Sequence, residues 1–484
     1  MSLGQKVVSA VGWSTGIKIG FQLVTWAMTL AVIRILSPDD YGLMAITQVF
    51  INVMAVFSNI GLGDALVQQE NTPKPVAAAV FGVSILISAV LTVLLSLAAH
   101  PIAVWYHDPR LVPLIQVGSL GFLANGLMTL PRVYLTKSLR IRPMFAMEMS
   151  SGLVGAMVIV ALAYTGFGVW SLMIGTLVGS IVRLIGFAVL TAEYFVWPSL
   201  DLKLIRPLYS YGAYRTMSYM AFLLVNSADT LILGRLLGPA ELGLYTVAMN
   251  FAGMPLSKIA PIINAVAFPA FAMVQHAPLE ARFYAMKATR LMATISVPVF
   301  FGISAVAPEI VSLVFGHGWT AATPILAVLS LAMSFRAILL VIPNYLIGIG
   351  NARANFMCSA IGVILFPPAF LIGCNWGVPG VCYAWLLGYP VLYSLTAMIA
   401  SRYGHLDFRG LLATPLRPMA AGIVMLLAVA GLRTYLPPGM SDVGRGLILV
   451  AAGAATYGTV MAVAFRPLVL EIVALVFRTR QTVA

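Results

Sequence analysis

The chain has 484 residues, of which 61% are hydrophobic and only 9% are charged, and its mean hydropathy is +0.98. Soluble globular proteins carry about 25% charged residues, so this composition excludes a soluble globular protein and indicates one that lies mostly in a membrane. The formal net charge of +13 is spread over many short segments beside apolar runs, which is typical of a topology signal and not of a nucleic-acid interface.

Long apolar runs follow one another along the chain and predict membrane-spanning helices. Backbone polar groups cannot remain unpaired in hydrocarbon, so a spanning segment is either helical or part of a closed barrel. The runs lack the alternating pattern of a barrel strand, which favours helices. With about 20 residues for each crossing, the sequence predicts fourteen spans, at 12–36, 42–62, 76–99, 111–131, 144–164, 168–191, 211–234, 242–268, 288–314, 322–348, 354–374, 378–400, 412–432 and 446–465.

The Lys and Arg residues are distributed unequally over the predicted loops. If the N-terminus is cytoplasmic, the inner loops and tails hold eighteen of them and the outer loops hold five. Cytoplasmic loops of membrane proteins carry an excess of Lys and Arg, so this arrangement predicts that both termini are cytoplasmic. The five outer residues are Arg34, Arg110, Arg235, Arg433 and Arg445.

Two similar stretches, RILSPDDYGLMA at 34–45 and RLLGPAELGLYT at 235–246, lie 201 residues apart. Each residue type alone suits any turn between helices, where Pro ends a helix, an acid suits the next N-terminus and Gly relaxes the bend. The shared spacing favours an internal repeat. The aligned pairs include Arg34 with Arg235, Pro38 with Pro239, Asp40 with Glu241, and Gly42 with Gly243.

The position of the repeated stretch predicts the architecture. It joins spans 1 and 2 and then spans 7 and 8, so an even number of spans separates the copies, and both face the same side of the membrane. We therefore predict an all-α protein with two pseudosymmetric six-helix lobes, at 1–200 and 201–400, followed by two helices and a cytoplasmic tail at 401–484. Two such lobes usually enclose a binding site at their interface.

Polar and charged side chains recur at helical spacing within the predicted spans. A lipid-facing helix would not tolerate them, so we expect them to line a wet cavity; the alternative is hydrogen bonding between helices. Five of the 28 Lys and Arg residues lie in spans, and acids there are few. Burying each cation costs about 3 kcal/mol, so the surplus of positive charge predicts an anion-binding cavity. The predicted substrate-binding residues are Lys18, Arg183, Arg215, Lys258, Arg336, Gln22, Asn52, Asn226 and Asn250. For Arg183 and Arg215, a side chain that reaches the membrane surface is the alternative.

One acidic residue, Asp229, lies on the polar face of span 7. It is the candidate site for a coupling proton or sodium ion, and a salt bridge to Arg34 or Arg235 is the alternative. The five His and three Cys residues show no metal-ligand spacing, and the sequence contains no nucleotide-binding motif and no catalytic set. We therefore predict a protein that is not an enzyme and that has no metal site and no cofactor.

LAVIRILSPDDYGLMAI (30–46) and NIGLGDALVQQE (59–70) resemble the first two helices and the following loop of Wzx-type polysaccharide flippases, and TKSLRIRPMF (136–145) is similar to their exopolysaccharide branch. That branch serves polymers such as colanic acid and xanthan, and its superfamily includes the MATE multidrug exporters and the lipid II flippase. The resemblance implies a V-shaped, multi-pass protein of the bacterial inner membrane. It also implies a flippase that moves undecaprenyl-pyrophosphate-linked oligosaccharides to the periplasmic leaflet by alternating access.

The resemblance makes the lipid bilayer and the lipid-linked oligosaccharide the expected partners, with a polysaccharide polymerase and chain-length or export proteins as further candidates. A MATE-type exporter of organic cations is the alternative function, but such exporters favour acidic cavities and the charge here has the opposite sign. A membrane scaffold for a polysaccharide synthase is a second alternative, for which a cationic cavity would have no use.

Overall fold

A computed structural model describes residues 20–22, 24–58, 62–69, 73–205, 223, 227–437 and 439–465. In this part of the chain the regular elements are helices, which confirms the predicted all-α class. Contacts between Cα atoms divide the chain into two compact units, Met1–Gly243 and Leu244–Ala484. The predicted lobe boundaries at residues 200 and 400 stay a prediction.

Short segments join most of the helices of the first unit. In chain order they are α1 (Gly20–Ile35), α2 (Pro38–Ser58), α3 (Leu62–Gln68), α4 (Lys74–Tyr106), α5 (Leu111–Ser119), α6 (Gly121–Lys137), α7 (Ile141–Tyr164), α8 (Val169–Leu190), α9 (Ala228–Leu236) and the first residues of α10 (Pro239–Met273). Residues 191–227 separate α8 from α9. α4 has 33 residues and continues through Pro101 beyond the predicted end of its span at residue 99. Spanning helices tolerate such a proline because their neighbours satisfy the freed backbone groups.

The second unit contains the rest of α10 and the helices that follow it. They are α11 (Pro278–Ala305), α12 (Ala307–Ile310), α13 (Ala322–Leu339), α14 (Val341–Gly348), α15 (Ala352–Gly373), α16 (Gly377–Gly404), α17 (Phe408–Ala413), α18 (Leu416–Tyr435) and α19 (Asp442–Ala464). Over both units, ten helical segments of the described chain are long and apolar enough to cross a membrane. The chain is therefore a multi-pass membrane protein.

The two copies of the repeated stretch cross each other at their glycines, within the first unit. A Cβ atom on Gly42 of α2 would overlap the carbonyl oxygen of Pro239, and a Cβ atom on Gly243 of α10 would overlap the carbonyl oxygen of Pro38. The contact is reciprocal, because each glycine packs directly against the first residue of the other helix. Neither glycine has a positive φ, so their role is close backbone approach and not the relaxed bend of the alternative interpretation.

The N-terminus of α2 is closed by its own side chains. The Asp40 carboxylate accepts hydrogen bonds from the Ser37 amide at 3.0 Å and the Ser37 hydroxyl at 2.6 Å, while the Ser37 hydroxyl oxygen accepts from the Asp40 amide at 3.3 Å. This reciprocal arrangement is a capping box. The aligned residue of the second copy is Gly238, whose φ of 86° suits glycine.

α9 packs against α2 and α4 through another glycine. The Tyr106 hydroxyl donates a hydrogen bond to the carbonyl oxygen of Leu231 at 3.2 Å, and a Cβ atom on Gly234 would meet the side chains of Tyr106 and Ile46. The guanidinium group of Arg235 lies 5.4 Å from the centre of the Trp105 ring, within the range of a cation–π interaction. The ends of α4 and α9 are thus held together beside the glycine crossing.

Arg110 joins the same ends of α2 and α4. Its Nη1 atom lies 2.5 Å from Asp39 Oδ2, and its Nη2 atom lies 2.6 Å from Asp108 Oδ2. Burial by itself would raise the pKa of the Asp108 carboxyl, but the hydrogen bonds and the positive charge of Arg110 outweigh burial and lower this pKa below its usual value. The carboxylate therefore stays ionised in the folded protein.

In the second unit, α18 and α19 are packed onto α11. The Tyr457 hydroxyl donates a hydrogen bond to the carbonyl oxygen of Thr294 at 3.0 Å, and a Cβ atom on Gly422 would press into side chains of α11. Arg433 Nη2 donates to Oε2 of the buried Glu309 at 2.7 Å, which compensates an otherwise costly buried charge. The last two helices of the described chain are therefore an integral part of this unit.

We expect Gly243→Ala to destabilise the protein, because the added methyl group would overlap the backbone of Pro38, which cannot move aside like a flexible side chain. Overpacking of this kind costs about 1–3 kcal/mol, so the thermal unfolding midpoint of the purified variant should fall by several degrees. Gly253→Ala, on the same helix, is the matched control, because a Cβ atom there has no neighbour within 4 Å among the described residues. Equal midpoints for the two variants would show that the helices do not approach so closely.

We expect Asp108→Asn to lower stability at neutral pH and to reduce its dependence on pH. A carboxyl whose pKa is lowered by folding stabilises the folded state above its unfolded pKa of about 3.9. It loses that contribution as the pH falls through the lower folded value. The wild-type unfolding midpoint should therefore fall more steeply than that of the variant when the pH is lowered from about 5 to about 3. In an Arg110→Gln background burial is the main remaining influence on the pKa of Asp108, so the steeper fall should disappear or reverse. Equal slopes for the wild type and Asp108→Asn while Arg110 is present would contradict this role.

Candidate substrate-binding site

The structure describes six of the nine predicted substrate-binding residues. Lys18, Arg215 and Asn226 lie outside the described residues. The first unit contains Gln22, Asn52 and Arg183, and the second unit contains Asn250, Lys258 and Arg336.

A pair of amide side chains lies on one face of α2. Gln48 Nε2 donates a hydrogen bond to Asn52 Oδ1 at 2.7 Å, as expected for residues one turn apart. Asn52 is exposed and lies fourteen residues after Pro38, which is about 21 Å along the helix. The exposed amide is therefore well inside a helix long enough to cross the membrane, where contact with lipid would be costly and contact with water would not.

Arg183 lies at a similar level on the neighbouring helix α8. The two helices start side by side, because a Cβ atom on Gly168, which precedes α8, would lie 2.9 Å from Asp40 Oδ1. Arg183 is fourteen residues after Val169 and Asn52 is fourteen after Pro38, so each is about 21 Å from that end. Among the described residues, the buried Nε of Arg183 has no hydrogen-bond partner. Such a donor is costly alone and is suited to a bound anion.

The predicted polar face of α1 has two kinds of side chain. The Thr25 hydroxyl donates to the carbonyl oxygen of Phe21 at 2.9 Å, and the Thr29 hydroxyl donates to the carbonyl oxygen of Thr25 at 2.9 Å. These threonines satisfy their hydroxyl groups within the helix, so they do not require water. Gln22 is half-buried, and its longer amide stays a candidate for the site.

The second unit exposes two of the predicted residues on α10. Asn250 and Lys258 lie eleven and nineteen residues after Pro239, and both are exposed. They are eight residues apart, so they lie close to the same face of the helix, separated by about 12 Å along its axis. Half-buried Arg336 lies in the last turn of α13. That these three residues share one cavity with Asn52 and Arg183 stays a prediction.

Asp229 is buried, with 4% of its surface exposed, in the first turn of α9. Its Oδ1 atom accepts hydrogen bonds from the Thr230 amide at 2.7 Å and the Thr230 hydroxyl at 3.3 Å. A carboxylate at this position is favoured by the free amides and the dipole of a helix N-terminus. Arg235, one of its two predicted partners, places its guanidinium group over Trp105. The described residues contain no group of three or more His, Cys, Asp or Glu that could hold a metal ion.

Sequence reasoning did not find the ion pairs at the helix ends. Arg110 and Arg433 were placed in outer loops, but their carboxylate partners are not marked by a motif. Asp39 is 71 residues from Arg110, and Glu309 is 124 residues from Arg433, so only the folded chain brings each pair together. The one local signal is the spacing of two between Asp108 and Arg110, which is a common turn pattern.

The family model described as "Polysaccharide biosynthesis protein" matches residues 31–324. The succinoglycan biosynthesis transport protein ExoT of Rhizobium meliloti (strain 1021) is 27% identical over 436 residues, which cover 87% of this chain and 86% of ExoT. The lipopolysaccharide biosynthesis protein WzxC of Escherichia coli (strain K12) is 29% identical over 393 residues, which cover 80% of this chain and 79% of WzxC.

The fold is similar to that of a solved lipid transporter. A structure of the lipid II flippase MurJ in its inward closed conformation superimposes with a TM-score of 0.72 and 15% sequence identity. The alignment covers 93% of this chain and 100% of the MurJ chain. At this identity the likeness shows the fold alone.

The exposed amides should face water, and this can be tested by thiol labelling. In a chain whose native residues Cys358, Cys374 and Cys382 are replaced by Ala, we expect Asn52→Cys and Asn250→Cys to react with a water-soluble maleimide. Val93→Cys is the control, because Val93 is also exposed but lies on the apolar helix α4. It should react much more slowly, since a thiol ionises poorly in hydrocarbon. Similar rates at all three positions would contradict a water-filled space beside the amides.

Proposed function

Because the chain belongs to the polysaccharide biosynthesis protein family, we propose that it is a flippase for lipid-linked oligosaccharides. It moves undecaprenyl-pyrophosphate-linked repeat units from the cytoplasmic to the periplasmic leaflet of the bacterial inner membrane, for the assembly of an exopolysaccharide, a capsule or an O-antigen. One observation carries this proposal: a chain whose relatives are named for polysaccharide biosynthesis has the fold of a lipid flippase over nearly its whole length.

The chemistry of the head group suits the residues in the spans. A pyrophosphate diester carries about two negative charges and several acceptor oxygens, which favour charge-assisted hydrogen bonds from Lys and Arg. The pyrophosphate is held by cations from both halves of the chain, namely Lys18, Arg183, Arg215, Lys258 and Arg336. The amides of Gln22, Asn52, Asn226 and Asn250 can both donate to and accept from sugar hydroxyls. The polyprenyl tail stays in lipid during transport.

Alternating access requires a path that opens first to one side of the membrane and then to the other. The head group enters from the cytoplasmic leaflet, binds the cations, and leaves on the periplasmic side after the two lobes rock about the site. The levels of Asn52 and Arg183 support a site reached from the cytoplasm, because both are about 21 Å from the end of α2 that carries the repeated turn. The predicted topology puts that turn on the periplasmic side.

Fourteen transmembrane helices, the number predicted from the sequence, are part of this proposal. Ten described segments are long and apolar enough to span the membrane. One of them, Ala352–Gly404, contains two helices, α15 and α16, and therefore supplies two spans. The other three are the spans predicted from the sequence at 12–36, 211–234 and 242–268. Within the first unit, Lys137 and Arg140 lie at the opposite end of α6 and α7 from the Arg110 cluster. This separation supports the topology with both termini in the cytoplasm.

Asp229 is the proposed coupling residue. A buried carboxylate at a helix N-terminus inside a membrane protein can exchange a proton or bind a sodium ion as its surroundings change. Consumption of the flipped product by a polysaccharide polymerase is the other possible driving force, and chain-length or export proteins would act after that step. No cofactor and no catalytic step are part of this mechanism.

A MATE-type cation-coupled multidrug exporter is the alternative function, and it is less supported. The matching family model and the named relatives concern polysaccharide biosynthesis. The charge of the spans also argues against it, because an organic cation would be repelled by a surplus of Lys and Arg.

Complementation of a deletion strain tests the proposed function. We expect the wild-type gene to restore polymer, and Lys258→Gln and Arg336→Gln to reduce it severalfold while the lipid-linked unit accumulates, because each variant removes a charge from the pyrophosphate site. Arg409→Gln removes an exposed positive charge from a helix end and is the matched control, which should restore polymer fully. Protein levels in the membrane are compared by immunoblotting.

Two results would overturn the proposal. Wild-type polymer from all the span variants would show that these cations do not hold the substrate. The exporter would be favoured if the deletion strain made as much polymer as the parent strain but lost organic-cation efflux. In that case the wild-type gene should restore efflux and Asp229→Asn should not.

A further inference from the structure

The segment after α8, residues 191–205, is held against the ends of other helices in the first unit. We name it the connector. Its Ser199 amide donates a hydrogen bond to the carbonyl oxygen of Ala78 at 2.9 Å, and a Cβ atom on Gly82 would overlap the carbonyl oxygen of Ser199. The ring of Tyr194 stacks on that of Tyr134 with 5.0 Å between centres. The connector is therefore an ordered part of the surface, and glycine at position 82 lets it lie directly on α4.

The connector exposes large apolar side chains although it is firmly attached. Phe195, Trp197, Leu200 and Leu202 are each at least 60% exposed, and Trp197 is 80% exposed. The centres of the Phe195 and Trp197 rings lie 5.4 Å apart in an edge-to-face arrangement, so these two rings form one continuous apolar patch. A patch of this kind in bulk water would be unfavourable and indicates contact with a partner or with lipid.

Basic side chains occur in both segments that form this surface. Residues 132–142 and 191–205 contain five Lys and Arg residues and two acids, which gives a net charge of +3. Among them, Arg132, Arg142 and Lys203 are exposed. Arg140 binds Glu193 with 2.9 Å between Nη2 and Oε1, which ties the turn between α6 and α7 to the connector. The exposed surface therefore combines aromatic rings with positive charge.

The position of the connector identifies the environment of this surface. It lies where α6 and α8 end and where α4 and α7 begin, and each of these helices, α6 together with α5, is long and apolar enough to span. The ends of spanning helices mark the boundary between hydrocarbon and water, where Trp rings and the long side chains of Lys and Arg are most favourable.

We propose that the connector and the turn between α6 and α7 form a binding surface for anionic phospholipid head groups. Phe195 and Trp197 insert into the interfacial layer, while Arg142 and Lys203 bind lipid phosphates. A protein partner could cover the apolar patch, but the boundary position and the net positive charge together favour an anionic lipid. The surface uses none of the predicted substrate-binding residues, so the proposal does not depend on the proposed function.

The fluorescence of Trp197 reports directly on this contact. The full-length protein is placed in nanodiscs of phosphatidylcholine that contain a fixed fraction of a lipid brominated near the head group, either phosphatidylglycerol or phosphatidylcholine. The Trp197 signal is the difference between the wild type and Trp197→Phe, which removes the contributions of the other seven tryptophans. We expect brominated phosphatidylglycerol to quench this signal more strongly than brominated phosphatidylcholine, and added salt to weaken the difference.

Charge removal provides the matched comparison. We define the preference as the apparent affinity of the surface for phosphatidylglycerol relative to phosphatidylcholine, obtained from the quenching of Trp197. The double variant Arg142→Gln with Lys203→Gln should lower this preference about fivefold for each charge removed. Arg402→Gln with Arg409→Gln removes the same charge from exposed residues of the second unit and should leave the preference unchanged. Equal quenching by both brominated lipids would overturn the proposal. So would a Trp197 signal that only aqueous acrylamide quenches, because the patch would then face water or a protein partner.

Discussion

The first unit depends on the close approach of two backbones at Gly42 and Gly243. In lipid there is no hydrophobic force to bring helices together, so association relies on van der Waals contact, which small residues make possible. At this crossing each glycine meets a proline carbonyl of the other copy, and neither position has room for a Cβ atom. The repeated spacing of Pro and Gly therefore follows from geometry: both copies must supply the same gap and the same carbonyl for the contact to be mutual. The docking of α9 through Gly234 and the cluster at Arg110 are built beside this crossing.

The helical class and most spans could be predicted because lipid leaves a chain few alternatives, and the repeat could be detected because it is written in sequence. What the glycines do could not be predicted, since a bend and a close approach select the same residue. The end of α4 was misplaced because tolerance of Pro101 depends on neighbouring helices and not on local sequence. The carboxylate partners of Arg110 and Arg433 were missed because residues 71 and 124 positions away supply them.

The candidate site shows the same limit of sequence reasoning. Thr25 and Asn52 both belong to polar faces with helical spacing, yet only one of them needs a partner outside its own helix. The Thr25 hydroxyl reaches a carbonyl oxygen one turn back, which a short β-branched side chain does readily. Asn52 is exposed, and its Oδ1 atom accepts one hydrogen bond from Gln48 on the same helix. Its amide group therefore has further donors and acceptors available. The spacing of polar residues cannot distinguish a side chain that bonds to its own helix from one that needs an outside partner. The length and chemistry of the side chain make this difference.

The strong ion pairs and the exposed polar residues occupy different levels of the helices. Arg110 with its two aspartates and Arg433 with Glu309 lie at helix ends, where they fix how helices meet. Asn52, about 21 Å along α2, lies in the interior of its span instead. A transporter gains from this separation, because a substrate must be bound firmly enough to enter and weakly enough to leave. Amides and spaced cations can each make contacts of moderate strength with a substrate. An arginine that is paired with a carboxylate stabilises the fold instead. Under the proposed function, the interior residues could therefore change with the sugar while the contacts that hold the helices together stay the same.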